Sequence, residues 1–438
     1  MTTPPLSPDD VPGPARPGFG EALRFWAKLG CINFGGPAGQ IALMQHELVD
    51  RRGWIDGPRF LHGLNFCMLL PGPEAQQLAT YIGWRLHGVA GGLAAGLLFI
   101  LPGALVLWLL SWLAVEHGDL AWVDALFDGV KPVVVAIIAA AVWRLGTKTL
   151  KGWAPVALAA AAFVGLYFLK VPFPVIVLGA GVLGWLAARA GLHLFAPAGH
   201  GGGAEGEVAE TKPPKGLGHL AKLALLFLVL LVVPVGAVLA LFGTEPWQAV
   251  ATLFTKAAFV TFGGAYAVLP YIAERGVALG WLTPADMVNG LALAESTPGP
   301  LILVTQYVGF FAGWNNPGGL SPFWAGTLGS ALTLYVTFLP CFFFIFAGAP
   351  YVERLIHNRA ASGALAAITA AVVGVILNLG VFLGIHVLMP QPGVLDWFAV
   401  VLALAGLVAL VRFKVAVHWL VLAGALVGLG WAAVRGVL

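Results

Sequence analysis

Nine stretches of this chain stay apolar for long enough to cross a bilayer, whose ~30 Å core is spanned at ~1.5 Å per helical residue. Four lie in the first half, at residues 89–115, 122–143, 154–169 and 172–194. Four lie in the second half, at residues 323–349, 361–388, 395–411 and 415–437. The ninth, residues 220–242, stands between the two sets and has no counterpart. Only 10% of the 438 residues are charged, where a soluble domain carries roughly a quarter. The chain is therefore read as an all-α polytopic membrane protein with the lipid bilayer as its solvent, and a soluble enzyme or nucleic-acid binder is excluded on solvation.

Ahead of each set of four lies a region where breakers interrupt the hydrophobicity, residues 21–85 and 248–314, and the two regions are copies. Lys28, Phe34, Gly35 and Gly36 recur 228 residues later as Lys256, Phe262, Gly263 and Gly264. Glu47, Gly53 and Trp54 recur as Glu274, Gly280 and Trp281, and Pro71-Gly72-Pro73 as Pro298-Gly299-Pro300, both at an offset of 227. Tyr81 and Gly83 return as Tyr307 and Gly309, at 226. So steady an offset marks an internal duplication. The expected divisions are a disordered tail 1–18, a first repeat 19–195, a solvated Gly-rich linker 196–218, a connecting helix 219–243 and a second repeat 244–438.

Charge argues that the repeats are inverted, because cytoplasmic loops collect Lys and Arg. Arg144, Lys148 and Lys151 lie in a first-half loop whose counterpart near Pro390 has no basic residue. Arg354 and Arg359 lie opposite Glu116-His117-Gly118-Asp119, and Arg412 with Lys414 opposite a loop holding only Lys170. The unmatched ninth span supplies the extra crossing that flips the second copy. Inverted repeats suit a secondary transporter with its site at the repeat interface. If each irregular region forms two re-entrant hairpins, Arg51, Arg52 and Arg59 stay inside, with the N-terminus and linker cytoplasmic. Two ordinary crossings per region are the alternative.

The breaks carry the chemistry. At Phe34-Gly35-Gly36 and Phe262-Gly263-Gly264 a restarting helix frees N–H groups and presents about half an elementary positive charge, an anion site. The turns around Gly72 and Gly299 are read in the same way, with close helix packing as the plain alternative. Lys28 and Lys256 either attract substrate or snorkel to an interface. Neutral donors cluster nearby: Asn33, Gln40, Gln76 and Gln77 in one half, Thr261, Ser296, Thr297 and Gln306 in the other. They suit an oxyanion, which accepts hydrogen bonds and offers none. Glu74 and Glu295 have no carboxylate at their matched positions and are candidate proton carriers, with a helix-start role as the alternative for Glu74. Cys31, Cys67 and Cys341 lie far apart, and no metal-ligand, Walker A, Ser/His/Asp or HExxH pattern is present. No metal, no cofactor and no enzymatic activity is expected. The first 20 residues lack the basic and apolar regions of a cleavable signal peptide.

These residues also carry a resemblance. FGGPAGQ from Phe34, RRGWI from Arg51 and LPGPEAQQLATYIGW from Leu70, with the echoes FGGAYAVLP from Phe262 and STPGP from Ser296, resemble the chromate ion transporter family, the ChrA-type membrane proteins. The likeness runs from about Phe19 to the C-terminus and fits the fused two-repeat long form. It implies export of chromate across the bacterial plasma membrane, driven by an ion gradient and giving resistance. The second half lacks the Glu-Ala-Gln-Gln stretch, so the halves need not bind substrate equally. Sulfate has the same shape and charge and is the alternative cargo. An intramembrane enzyme or a scaffold is the alternative of a different class. A homodimer is left open.

Overall fold

The computed structural model describes residues 17–118, 120–192, 194–195, 216–351, 358–391 and 393–437. Most of the expected tail and all but the last three residues of the expected linker lie outside that set. Among the described residues the regular structure is helical. The first repeat contains α1 (Phe19–Ile32), α2 (Gly36–Gln45, continued by a π-turn over His46–Arg51), α3 (Gly57–Leu69), α4 (Glu74–His117), α5 (Ala121–Thr149), α6 (Trp153–Tyr167) and α7 (Phe173–Arg189). The connecting helix α8 is Leu217–Phe242. The second repeat contains α9 (Trp247–Val260), α10 (Leu269–Ala278), α11 (Pro284–Ser296), α12 (Val304–Asn315), α13 (Pro322–Gly348), α14 (Arg359–Leu388), α15 (Trp397–Val411) and α16 (Val417–Arg435). Helix α4 is broken at His87 and Gly88, so its 44 residues are two arms. With α12 and α13 standing for those arms, the repeats match element by element. Among the described residues six helices are long and apolar enough to cross a membrane, and the shorter apolar α6, α7 and α15 occupy the other three of the nine expected positions.

The irregular regions double back. Helix α1 has 14 residues, about 21 Å, too short for a ~30 Å core. It starts with Phe19 against His87, and its Gly30 packs on Leu98 and Pro102, halfway along the second arm of α4. The chain then returns to where it began. Arg52 approaches Glu21 to 3.7 Å and covers the rings of Phe25 and Trp54. Helix α3 and the first arm of α4 form a second hairpin, with Gly63 and Phe66 facing Tyr81. The second repeat does the same: Trp281 stacks on Phe254 of α9, and Gly290 faces Tyr307.

The long helices interlock the two halves. Matched helices α5 and α14 cross antiparallel, with Val135 beside Gly384 and Gly146 beside Val373. The second arm of α4 and its match α13 also run antiparallel, with Gly96 against Phe342 and the Trp108 indole donating to Thr327 at 3.1 Å. Helix α7 packs along α14 and α16 along α5, so each repeat ends on the other. Lipid supplies no hydrophobic force between helices, and close packing of small residues takes its place. Gly129 meets Gly424 and Gly428, and Gly184 meets Gly363. Helix α8 sits outside this body, touching α9 and α13. Its Pro234 leaves the Leu230 carbonyl without its usual i+4 donor, and the Tyr335 hydroxyl donates to it instead.

A side chain at Gly129 would begin 2.0 Å from the Gly424 carbonyl oxygen, whereas one at Gly179 would meet nothing within 4 Å. Gly129→Leu is expected to destabilise the protein by at least about 1–3 kcal/mol, the scale of overpacking, and Gly179→Leu to leave it nearly unchanged. Thermal melting of the two purified variants checks this.

Candidate functional site at the helix breaks

The four breaks meet between the halves, each turn bonded to the opposite repeat. The Gly72 N–H donates to the Thr261 carbonyl at 2.8 Å, and the Gly299 N–H to the Asn33 carbonyl at 3.4 Å. Gly72 matches Gly299 and Asn33 matches Thr261, so the pair of bonds is reciprocal. Both glycines take left-handed φ values, 126° and 109°, that an L side chain rarely adopts. Gln40 joins the crossing, its Nε2 donating to the carbonyls of Asn33 at 2.8 Å and Gly299 at 2.7 Å. Gly103 of α4 lies so close to Pro298 that a Cβ would stand 1.9 Å from its carbonyl oxygen.

This crossing changes the role of the neutral donors. Helices α1, α3, α9 and α11 end inside the protein, and each helix end leaves carbonyls without intrahelical partners. Asn33 donates to the Phe99 carbonyl at 3.3 Å, Gln77 to Pro71 at 2.8 Å and Gln306 to Ala104 at 2.9 Å. Gln76 donates to the Thr80 hydroxyl at 3.0 Å. The hydroxyls of Thr261, Ser296 and Thr297 donate to carbonyls of their own helices. In this structure the protein's own acceptors take the N–H groups of Gly72 and Gly299, both amide hydrogens of Gln40 and one of the two on each of Asn33, Gln76, Gln77 and Gln306.

The first break of each half remains open. Gly35, Gly36, Gly263 and Gly264 have φ values of 95°, 69°, 79° and 93°. A Cβ at Gly36 or Gly264 would meet nothing within 4 Å. Among the hairpin helices, side-chain caps occur only where α3 and α11 start, at Asp56 and Thr283. The segments restarting at the breaks, including α2, α4 and α10, have none. A cavity of about 500 Å³ adjoins the first break, lined by Phe34, Leu110, Phe127, Ser296 and His418, with the Phe34 ring 5.7 Å from that of His418. A larger cavity of about 720 Å³ between α15 and α16 includes no break residue.

The charged candidates are dispersed. Lys28 and Lys256 lie on exposed faces of α1 and α9. Glu74 is half-buried in the first turn of α4. Glu295 is buried and accepts a hydrogen bond from the Tyr266 hydroxyl, which ties the two breaks of the second half together. Tyr266 was not visible to repeat matching, because Ala38 occupies its position in the first half. Among the described residues no group of three His, Cys, Asp or Glu side chains is placed to hold a metal ion.

Residues 20–185 and 248–429, which contain all four breaks, match the chromate transporter family. The chain belongs to that family. A chromate transport protein of Pseudomonas aeruginosa is 31% identical over 366 residues, covering 82% of this chain and 79% of the relative. A chromate transport protein of Cupriavidus metallidurans is 28% identical over 421 residues, covering 93% and 92%. The uncharacterized transporter YwrB of Bacillus subtilis is 33% identical over 147 residues, which is 75% of its length but only 33% of this chain. That relative is about one repeat long. No solved structure matches.

In this chromate transporter family member, Gln77→Leu leaves the buried Pro71 carbonyl unpaired and is expected to cost about 1–3 kcal/mol of stability. Exposed Lys28→Gln is expected to stay within about 0.5 kcal/mol. Melting curves in detergent separate the two.

Proposed function

We propose that this protein is a secondary transporter that exports chromate, holding the oxyanion at the open breaks of α2 and α10 between two inverted repeats. The observation that carries this is the pair of open breaks, the uncapped start of α2 at Gly36 and the short 3-10 turn after Gly264 that leads into α10, each facing space where a Cβ would touch nothing. Such ends offer N–H groups and positive dipole charge to a tetrahedral dianion. Lys28 and Lys256 raise the local concentration of dianion along the exposed faces leading to the breaks. Asn33, Gln40, Gln76, Gln77, Thr261, Ser296, Thr297, Gly72 and Gly299 hold the breaks in shape. The antiparallel crossings of α5 with α14 and of α4 with α13 support the inverted arrangement. The side where α1 begins and α5 ends carries Arg51, Arg52, Arg59 and Lys148, and is assigned to the cytoplasm with the N-terminus and linker.

Glu74 and Glu295 are the proposed proton carriers that couple flux to a gradient. An ionised carboxylate beside the breaks repels the dianion and a protonated one admits it, so proton and substrate favour each other's binding.

Flux of chromate and of sulfate in vesicles, with and without a pH gradient, tests the reading. Chromate flux is expected to exceed sulfate flux and to respond to the gradient. Gly36→Asn, which tolerates a left-handed φ but fills the open space, is expected to lower chromate flux by at least about tenfold, or ~1.4 kcal/mol. Normal flux in that variant contradicts the site. A carboxylate carrier makes flux rise as pH falls. Replacing it with the neutral Gln is expected to hold flux at the low-pH level throughout. If Glu74→Gln and Glu295→Gln both keep the parent profile, neither residue is the carrier.

A further inference from the structure

Five buried amides at the breaks, Asn33, Gln40, Gln76, Gln77 and Gln306, have oxygens to which nothing donates, and Asn33, Gln40 and Gln306 are the ones anchored around the Asn33–Gly299 crossing. Asn33, Gln40 and Gln306 are at most 3% exposed. Each turns its NH2 group to backbone carbonyls: Asn33 to Phe99, Gln40 to Asn33 and Gly299, Gln306 to Ala104. Flipping any of them would set oxygen against oxygen, so the network fixes their orientation. Asn33 Oδ1, Gln40 Oε1 and Gln306 Oε1 are left as buried acceptors without a partner. A buried acceptor without a partner is costly, and three around one crossing ask for a ligand.

Their anchors lie together. Phe99 and Ala104 are on one stretch of α4, and Gly103 between them packs on Pro298, the neighbour of Gly299. The C-terminal ends of α1 and α11 approach the same place through Asn33 and Gly299, and helix C-termini carry partial negative charge. Amide oxygens and helix C-termini repel an oxyanion and attract a cation. We propose that Asn33, Gln40 and Gln306 hold an alkali cation at the crossing of the breaks, beside the oxyanion site. Neutral hard oxygens suit Na⁺ or K⁺, whereas divalent ions favour carboxylates and transition metals favour imidazole or thiolate. Broken transporter helices divide labour in this way, with N-termini facing an anionic group and C-terminal ends or carbonyls facing the cation. The role of the ion rests on the transporter reading: a cation beside a dianion offsets part of its charge, so the two bind cooperatively. The site itself does not depend on that reading.

The test melts the purified full-length protein in NaCl, KCl and choline chloride at equal ionic strength, without chromate. Tm is expected to rise saturably with Na⁺ or K⁺ relative to choline, and equal Tm in all three salts overturns the proposal. Gln40→Met and Gln306→Met are expected to abolish the rise. Asn33→Asp adds negative charge at the site and is expected to lower the half-saturating concentration about fivefold or more, or ~1 kcal/mol. It also decides the matter if a Met variant does not fold. A rise that persists unchanged in all the folded variants overturns the assignment to these residues. Chromate flux is measured separately: flux without a cation effect overturns the cation site alone, and a cation effect without chromate flux overturns the cargo alone.

Discussion

Everything at the centre of this protein follows from helices that end inside a bilayer. A helix that stops at a membrane surface leaves its terminal groups to water, but α1, α3, α9 and α11 stop within the protein. Their carbonyls need donors, and the restarting helices need acceptors or a ligand. At the breaks, the carbonyls of Asn33, Pro71, Thr261 and Gly299 take donors from Gln40, Gln77 and the two reciprocal backbone bonds between repeats, while Asn33 and Gln306 donate to carbonyls within α4. The space beside Gly36 and Gly264 is left open. The proposed anion site rests on that open space at the first breaks, apart from the carbonyl-rich crossing itself.

The same requirement explains why the halves depend on one another. In backbone bonding each Pro-Gly-Pro turn reaches the Phe-Gly-Gly break of the other repeat, Gly72 to Thr261 and Gly299 to Asn33. Helices α7 and α16 repeat the exchange at the periphery by packing on α14 and α5. A single repeat would leave Thr261 or Asn33 without the N–H it accepts.

Much of this arrangement was legible in the sequence. Recurring Phe-Gly-Gly and Pro-Gly-Pro motifs located the four breaks, and apolar runs located nine apolar helices, six of them long enough to cross a membrane, because each signal is local. The partners of the buried amides were not legible. Residue type says that Gln77 can donate, but only the fold says that the Pro71 carbonyl lies beside it and takes the bond. Lys28 illustrates a different limit: its match with Lys256 signals a shared role, yet helical phase turns both to the exposed face. Tyr266 escaped because matching finds what the repeats share, and its contact with Glu295 exists in one repeat only.

The central claim is that matched elements face opposite sides of the membrane and so bring their breaks together. Accessibility of single cysteines, introduced after replacing Cys31, Cys67 and Cys341, tests it most directly. With a membrane-impermeant thiol reagent applied to intact cells or to inside-out vesicles, Lys148→Cys and Arg359→Cys should label from the cytoplasmic side and Gln391→Cys from the outside. Labelling of Lys148→Cys and Gln391→Cys from the same side would contradict the inverted repeat and the crossing built on it.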